Sequence, residues 1–269
     1  MKKFFFLAGL PRSGSTLLAA LLSQNKAMYV SGTSGILELI TANRNYWSKV
    51  TEFNALDPKV SSARKISTLR GMLYGHYDDI EQTTVIDKCR QWPAHFEMAQ
   101  AIIGEPAKMI ITVRDIRDVL ASFERKYREA KADTQVSQEA LNSVEYQSVE
   151  GRCDILISTK QIVGGSIVAI RDAVNRGFRE QMHFVDYDDL CKKPTRVLEG
   201  IYDFLGIHPG DHDTLNVKNN VVERDEMYGW KDLHAIRGVI QPQEPQWPKY
   251  LPDAVAKKFE PNAKFWKSL

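Results

Sequence analysis

Lys3-Phe4-Phe5-Phe6-Leu7-Ala8-Gly9-Leu10-Pro11-Arg12-Ser13-Gly14-Ser15-Thr16-Leu17-Leu18-Ala19-Ala20 is the stretch on which the fold turns. An apolar run without polar alternation reads as a strand buried on both faces. Pro11 and Arg12 end that run, and Thr16 to Gln24 then reads as a short, strongly helix-forming segment. Between the two lies the frame G-x-x-x-x-G-x-[ST], from Gly9 to Thr16. Set between a strand and a helix, such a loop points backbone N–H groups and a helix N-terminus at one place, which makes an anion site. The lysine that nucleotide-hydrolysing loops aim at the β- and γ-phosphates is missing. Ser15 takes its position, and the nearby cation is Arg12. A loop whose serines merely cap the helix is the alternative reading of the same residues.

Outward from this loop, short β-like runs alternate with helical ones. Thr84-Val85-Ile86, Lys108 to Val113 and Met182 to Val185 are strand candidates, the second being β-branched and apolar as a central parallel strand should be. Helix candidates fall at 58–78, 92–103, 115–131, 137–177 and 195–205, and a further one carries Glu38 after a flexible 31–35 stretch. Ile116, Val119, Leu120, Phe123 and Tyr127 share one helical face. This alternation predicts an α/β fold in three layers, a central parallel sheet wrapped by helices through right-handed crossovers. Residues 1–269 read as one domain, with an irregular segment rich in Pro, Asn and Trp from about 207.

The composition excludes several classes. There are 36 Lys+Arg against 34 Asp+Glu, 43% hydrophobic and 26% charged residues. Those are globular proportions, and a net charge of +2 argues against a surface given over to nucleic acid or membrane. The apolar N-terminal run is too short for a signal sequence, and no uninterrupted apolar stretch has membrane-spanning length. No membrane anchor is therefore expected. Cys89, Cys153 and Cys191 are dispersed and odd in number, which suits free thiols and a cytoplasmic setting. His208 and His212 are separated by Pro209-Gly210, which breaks the helix that would align them on a metal, so no metal is expected.

A second polar constellation is Arg114-Asp115-Ile116-Arg117-Asp118-Val119-Leu120-Ala121-Ser122. Arg114 ends the best strand, where α/β sheets bind ligands, and Ser122 lies two helical turns on, so both can reach one anion. Arg–Asp pairs of this kind also serve simply as caps and salt bridges.

Together these segments resemble the sulfotransferase family that uses 3′-phosphoadenosine 5′-phosphosulfate (PAPS). The P-R-S-G-S-T loop is similar to the family's 5′-phosphosulfate loop, in the arginine form of tyrosylprotein and many bacterial members. V-R-D-I-R-D-V-L-A-S is similar to its 3′-phosphate motif. Phe184 to Leu190, Lys193-Pro194 and Ile201 to Gly206 resemble its Y-x-D-L … P … I-x-x-F-L-G stretch. The resemblance implies that Arg12, Ser13, Gly14, Ser15 and Thr16 hold the 5′ end of the donor, where Arg12, the loop amides and Lys88 would together stabilise the charge on the leaving phosphate. It also implies that Arg114 and Ser122 hold the 3′-phosphate, that Tyr187 lies near the adenine, and that Lys88, after Val85-Ile86-Asp87, steadies the transferring group. Trp230 to Gly238 resembles the basic, glycine-containing 3′-phosphate loop of cytosolic members and would add Arg237. The cytosolic members' histidine after the lysine is missing, since Cys89-Arg90 follow, and Glu38 is the candidate base, with His95 as the alternative.

The reading that results is a metal-independent sulfotransferase acting on a small-molecule, glycan or peptide hydroxyl, with no nucleic-acid partner and an open oligomeric state. Two other readings follow from the same residues. A phosphate-loop kinase or NTPase using Mg-ATP would employ Thr16 and treat Asp87 as the carboxylate ending a neighbouring strand. A non-catalytic relative would keep the nucleotide cradle without a base.

Overall fold

A computed structural model describes residues 2–132, 144–219, 221 and 223–269. Five parallel strands form one sheet: β1 (Lys3–Gly9), β2 (Met28–Thr33), β3 (Thr84–Lys88), β4 (Met109–Val113) and β5 (Met182–Asp186), in the order β2-β3-β1-β4-β5. Pairing sets Leu7 beside Lys88, Gly9 beside Thr112, and Val113 beside Asp186. The carboxyl ends of β1, β3 and β4 are thereby adjacent where the chain changes from one half of the sheet to the other. Open α/β sheets leave a crevice at such a point.

Strand alternation builds two cores from one central strand. Phe4, Phe6 and Ala8 face one side with Val85, Met109, Ile111 and the buried Trp92 and Phe96. Phe5 and Leu7 face the other with Ile86, Ile110 and helix α1 (Ser15–Leu22). Helices α2 (Ile36–Trp47), α3 (Pro58–His76), α4 (Phe96–Ile103) and α5 (Ile116–Ala132) cover the first side. They are joined there by α6 (Val149–Ile157), α7 (Ile162–Asn175) and α10 (Asp253–Phe259). On the second side α1 is joined by α8 (Tyr187–Lys192) and α9 (Pro194–Leu205), whose Leu198, Ile201 and Leu205 are buried. This is the three-layer α/β arrangement expected of the sequence.

The alternation also decides the fate of two adjacent polar residues on β3. Asp87 points with Val85 into the first core, wholly buried, where it accepts hydrogen bonds from Trp92 Nε1 at 2.6 Å and from the Tyr77 hydroxyl. Burial raises its carboxyl pKa. Lys88 points with Ile86 toward α1. The carboxylate that a kinase reading would place beside the loop is thus on the wrong face of the sheet.

Two elements differ from expectation. β2 is an edge strand whose last residues include Ser31-Gly32-Thr33, read from sequence as flexible; Ser31 Oγ there accepts the Lys88 N–H at 2.8 Å. The 137–177 helix is two helices, α6 and α7, broken at 158–161, and its first residues, 137–143, lie outside the described residues. A Cβ on Gly164 would meet the Ile157 carbonyl oxygen at 2.0 Å, so the turn closes only because that side chain is missing. The 149–175 span has membrane-helix hydropathy over part of its length, but it is interrupted by this turn and buries Cys153, Val163, Ile170 and Ala173 in the first core side.

The tail after α9 has little regular structure up to Trp247. It is pinned where Val217 N donates to Gly238 O at 2.7 Å and Ile240 N to Thr214 O at 3.0 Å. Val217 and Ile240 are buried against the α1 side of the sheet. The stretch between them passes over the crevice and becomes part of its wall.

Gly9 joins β1 to the loop with φ of +132°, and an added Cβ would lie 2.1 Å from the Thr112 carbonyl oxygen. Both the backbone conformation and the space require glycine. Gly9→Ala is expected to lower unfolding free energy by about 2–3 kcal/mol in a urea titration. A loss within ~0.5 kcal/mol would mean that β1 and β4 separate there without penalty.

Candidate functional site

The crevice is a cleft of ≈ 460 Å³ at the carboxyl ends of β1, β3 and β4, walled by the 9–17 loop, the start of α5 and the tail. Its loop is held from behind. Ser13 is buried, with Oγ 2.6 Å from the Leu10 carbonyl oxygen and 2.7 Å from Thr112 Oγ1. Its hydroxyl therefore braces the loop on β4. Gly14, at φ of +85°, begins α1, and a Cβ there would enter the Tyr187 ring at 2.5 Å. The glycine lets the ring lie directly on the loop. Ser15 and Thr16 open α1 with half-exposed side chains and no carboxylate in the first turn. The positive end of the helix dipole is left to attract an anion.

Arginines from two motifs meet on one side of the loop. Arg12, at φ of +59°, sends its Nε to Ser122 Oγ at 3.0 Å and its Nη1 to the Leu233 carbonyl of the tail. Desolvation lowers its pKa, as do the neighbouring Arg125 and Arg114. Arg114 stacks its guanidinium 4.4 Å over the Tyr187 ring and touches Asp118 at 3.7 Å. Its buried Nε has no hydrogen-bond partner among the described residues. Asp118 is itself engaged by the Gln246 and Trp247 amides at 2.7 and 3.0 Å. Crowded guanidiniums with an unsatisfied buried N–H are costly unless an anion completes them. Burial pushes the Tyr187 hydroxyl up to about 12, so the ring serves as a neutral packing surface. Arg237 lines the same cleft from the tail and is exposed, hydrogen-bonded to Gln243.

Lys88 stands at the other end. Its ammonium lies 3.5 Å from Thr16 Oγ1 and 3.4 Å from Glu223 Oε2, with only 8% of the side chain exposed. Burial lowers its pKa, opposed by Glu223. The structure thus divides the two cations that the sequence placed together: Lys88 sits by Thr16, whereas Arg12 reaches toward Ser122.

Glu223 accepts hydrogen bonds from the Thr33 amide at 3.1 Å and the Tyr228 hydroxyl at 3.3 Å. His234 Nε2 lies 3.5 Å from Thr33 Oγ1 and 3.9 Å from Glu223 Oε1. Its other nitrogen, Nδ1, is 2.5 Å from Asp225 Oδ1, and its backbone N–H donates to Asp225 Oδ2 at 2.9 Å. A carboxylate on Nδ1 fixes the tautomer with its lone pair on Nε2, the arrangement of an oriented base. Glu38 also lines the cleft, exposed in the first turn of α2. His95 is absent from the cleft lining and lies near Arg44, Arg176 and Glu97, its pKa lowered first by burial.

Sequence reasoning missed Glu223, Asp225 and His234. The only available signal was the basic Trp230–Gly238 segment, in which His234 stood without a recognisable partner. Among the described residues, no group of three or more His, Cys, Asp or Glu side chains could hold a metal. His212 instead bonds Tyr202 and the Leu21 carbonyl, at 2.8 and 2.9 Å.

A family model described as the sulfotransferase domain matches residues 2–225. No curated protein matches the chain by sequence. Among solved structures, the sulfotransferase domain of the Synechococcus PCC 7002 olefin synthase aligns with a TM-score of 0.57 at 21% identity, covering 99% of this chain and 95% of that one. A Mycobacterium avium sulfotransferase aligns with a TM-score of 0.54 at 14% identity, over 100% and 77% of the two chains. A mouse sulfotransferase complexed with PAP aligns with 0.52 at 15% identity, over 96% and 82%. At these identities the structural likeness speaks for the fold.

Proposed function

Because this chain belongs to the sulfotransferase domain family, we propose that its cleft binds PAPS and passes the sulfuryl group to an acceptor hydroxyl, with the Asp225–His234 pair managing the proton. The observation that carries this reading is the convergence of Arg12, Ser122 and Arg114 beside the loop, with Arg114 Nε buried and unsatisfied. That end suits a 3′-phosphate, a group ATP does not carry. The loop amides, the α1 N-terminus and Lys88 suit the phosphosulfate. Tyr187, packed on Gly14 and under Arg114, brings an aromatic ring to the nucleotide end of the cleft.

Bound PAPS supplies a sulfuryl group joined to a good phosphate leaving group. The protein orients and stabilises charge, the terms that dominate such transfers. As the acceptor oxygen bonds to sulfur, the bond from sulfur to the bridging phosphate oxygen breaks. Charge grows on that oxygen, where the Lys88 ammonium and the loop N–H groups can receive it. The acceptor hydroxyl loses its proton to His234 Nε2, while Nδ1–H donates to Asp225 and stabilises the imidazolium. Glu38, in the first turn of α2, is the second candidate for this base. The acceptor is taken to be a small molecule, and the separate thiols of Cys89, Cys153 and Cys191 accord with a reducing, cytoplasmic setting.

Calorimetric titration tests the donor assignment. 3′,5′-Bisphosphoadenosine should bind without Mg²⁺ and in preference to ATP. Arg114→Ala should weaken the bisphosphate about 10–100-fold, the worth of a charge-assisted contact, and leave 5′-AMP nearly unchanged. Equal losses for both nucleotides, or a preference for Mg-ATP, would remove the basis for the assignment.

A further inference from the structure

The acceptor side of the cleft carries a cation that donor binding does not use. Arg90 follows Lys88 by two residues, within ~7 Å along the chain, and lines the cleft beside Gln91 and Ile162. The same three residues line a second cavity of ≈ 530 Å³, so the two spaces adjoin across them. The second cavity lies against the start of α7 and contains Lys160 and Asp172. Asp172 is already paired with Arg176 at 2.8 Å. Arg90 and Lys160 have no ion-pair or hydrogen-bond partner among the described residues. Arg90 is exposed in area, and desolvation lowers its pKa. By contrast, the site's buried Lys88 has its carboxylate in Glu223.

Resting on the sulfotransferase reading, we infer that the acceptor is an elongated hydroxy compound with an anionic group, a carboxylate or phosphate monoester. Arg90 and Lys160 hold that group in the second cavity while the hydroxyl lies between Lys88 and His234. A planar guanidinium offers paired donors to either anion. The apolar side chain of Ile162, shared by both linings, suits an alkyl or aryl spacer, and a neutral acceptor would leave both cations without a partner.

The test is calorimetric titration of the protein saturated with 3′,5′-bisphosphoadenosine. The probes are medium-chain ω-hydroxyalkanoates, ω-hydroxyalkyl phosphates and ω-hydroxyalkanoate methyl esters. The acids or the phosphates should bind about tenfold or more tightly than the esters, and whichever anion binds better identifies the natural group. Arg90→Gln should abolish that preference and Lys160→Gln reduce it, with ester affinity unchanged. Retained bisphosphate affinity in both variants establishes that the cleft is intact. Equal affinities for acid, phosphate and ester, measurable binding of none, or an undiminished preference in Arg90→Gln would overturn the inference. Failure of the bisphosphate to bind the unmodified protein would instead overturn the donor assignment beneath it.

Discussion

Lys88→Ala is expected to lower sulfuryl transfer by ~100–1000-fold while changing bisphosphate affinity only a few-fold, the signature of a group that acts mainly as charge develops. The argument rests on where the ammonium lies. Strand alternation turns Lys88 out of the core toward α1, within 3.5 Å of Thr16 Oγ1 at the helix N-terminus. Its burial strengthens any interaction it makes, because little water competes. In the structure its counter-charge is Glu223 at 3.4 Å, so an anion entering the cleft must share or replace that carboxylate. Single-turnover rates and calorimetry on the variant separate the two effects. Equal loss of affinity and rate would make Lys88 a uniform binding residue. An unchanged rate would make it a strand-end lysine that serves only to hold the tail.

The parts of this site that were legible in the sequence are those in which local chemistry and local structure coincide. Gly9 to Thr16 sits between a strand and a helix that its own composition specifies, and Arg114 ends a strand whose β-branched residues announce it. β2 was not legible, because Met28-Tyr29-Val30 is a short apolar run followed by serine and glycine. Only pairing with β3 makes it a strand. The break in 137–177 was equally hidden, since Gly164-Gly165 are tolerable inside a helix and only the close approach of the Ile157 carbonyl requires the first of them. The tail posed a different difficulty. Residues 213–240 have no period because their order comes from long-range polar contacts, such as Thr33 with Glu223 and Arg12 with Leu233. Glu223, Asp225 and His234 are local neighbours in sequence, but nothing local says that they face Lys88.

His234→Ala is expected to reduce turnover by ~100-fold or more, with bisphosphate affinity preserved, and Asp225→Asn to lower it less. The Asp225 carboxylate accepts from both the ring and the backbone N–H of His234, so it sets the ring's tautomer as well as its position. An asparagine can keep the ring in place while presenting its amide to Nδ1, which would move the proton to Nε2 and remove the lone pair aimed at the cleft. Asp225→Asn should therefore lower kcat more than it raises KM, whereas a merely structural aspartate would shift both through loosened tail contacts. Adding imidazole should partly restore His234→Ala, because the missing group is a proton acceptor in an open cleft. Glu38→Gln is the counter-test. If the carboxylate on α2 is the base, that variant loses the activity and His234→Ala keeps it. The two candidate bases are thereby distinguished by one pair of rate measurements. The geometry favours the tail, since His234 has a fixed orientation within 3.9 Å of the Glu223 that holds Lys88, while Glu38 stands exposed at a helix start.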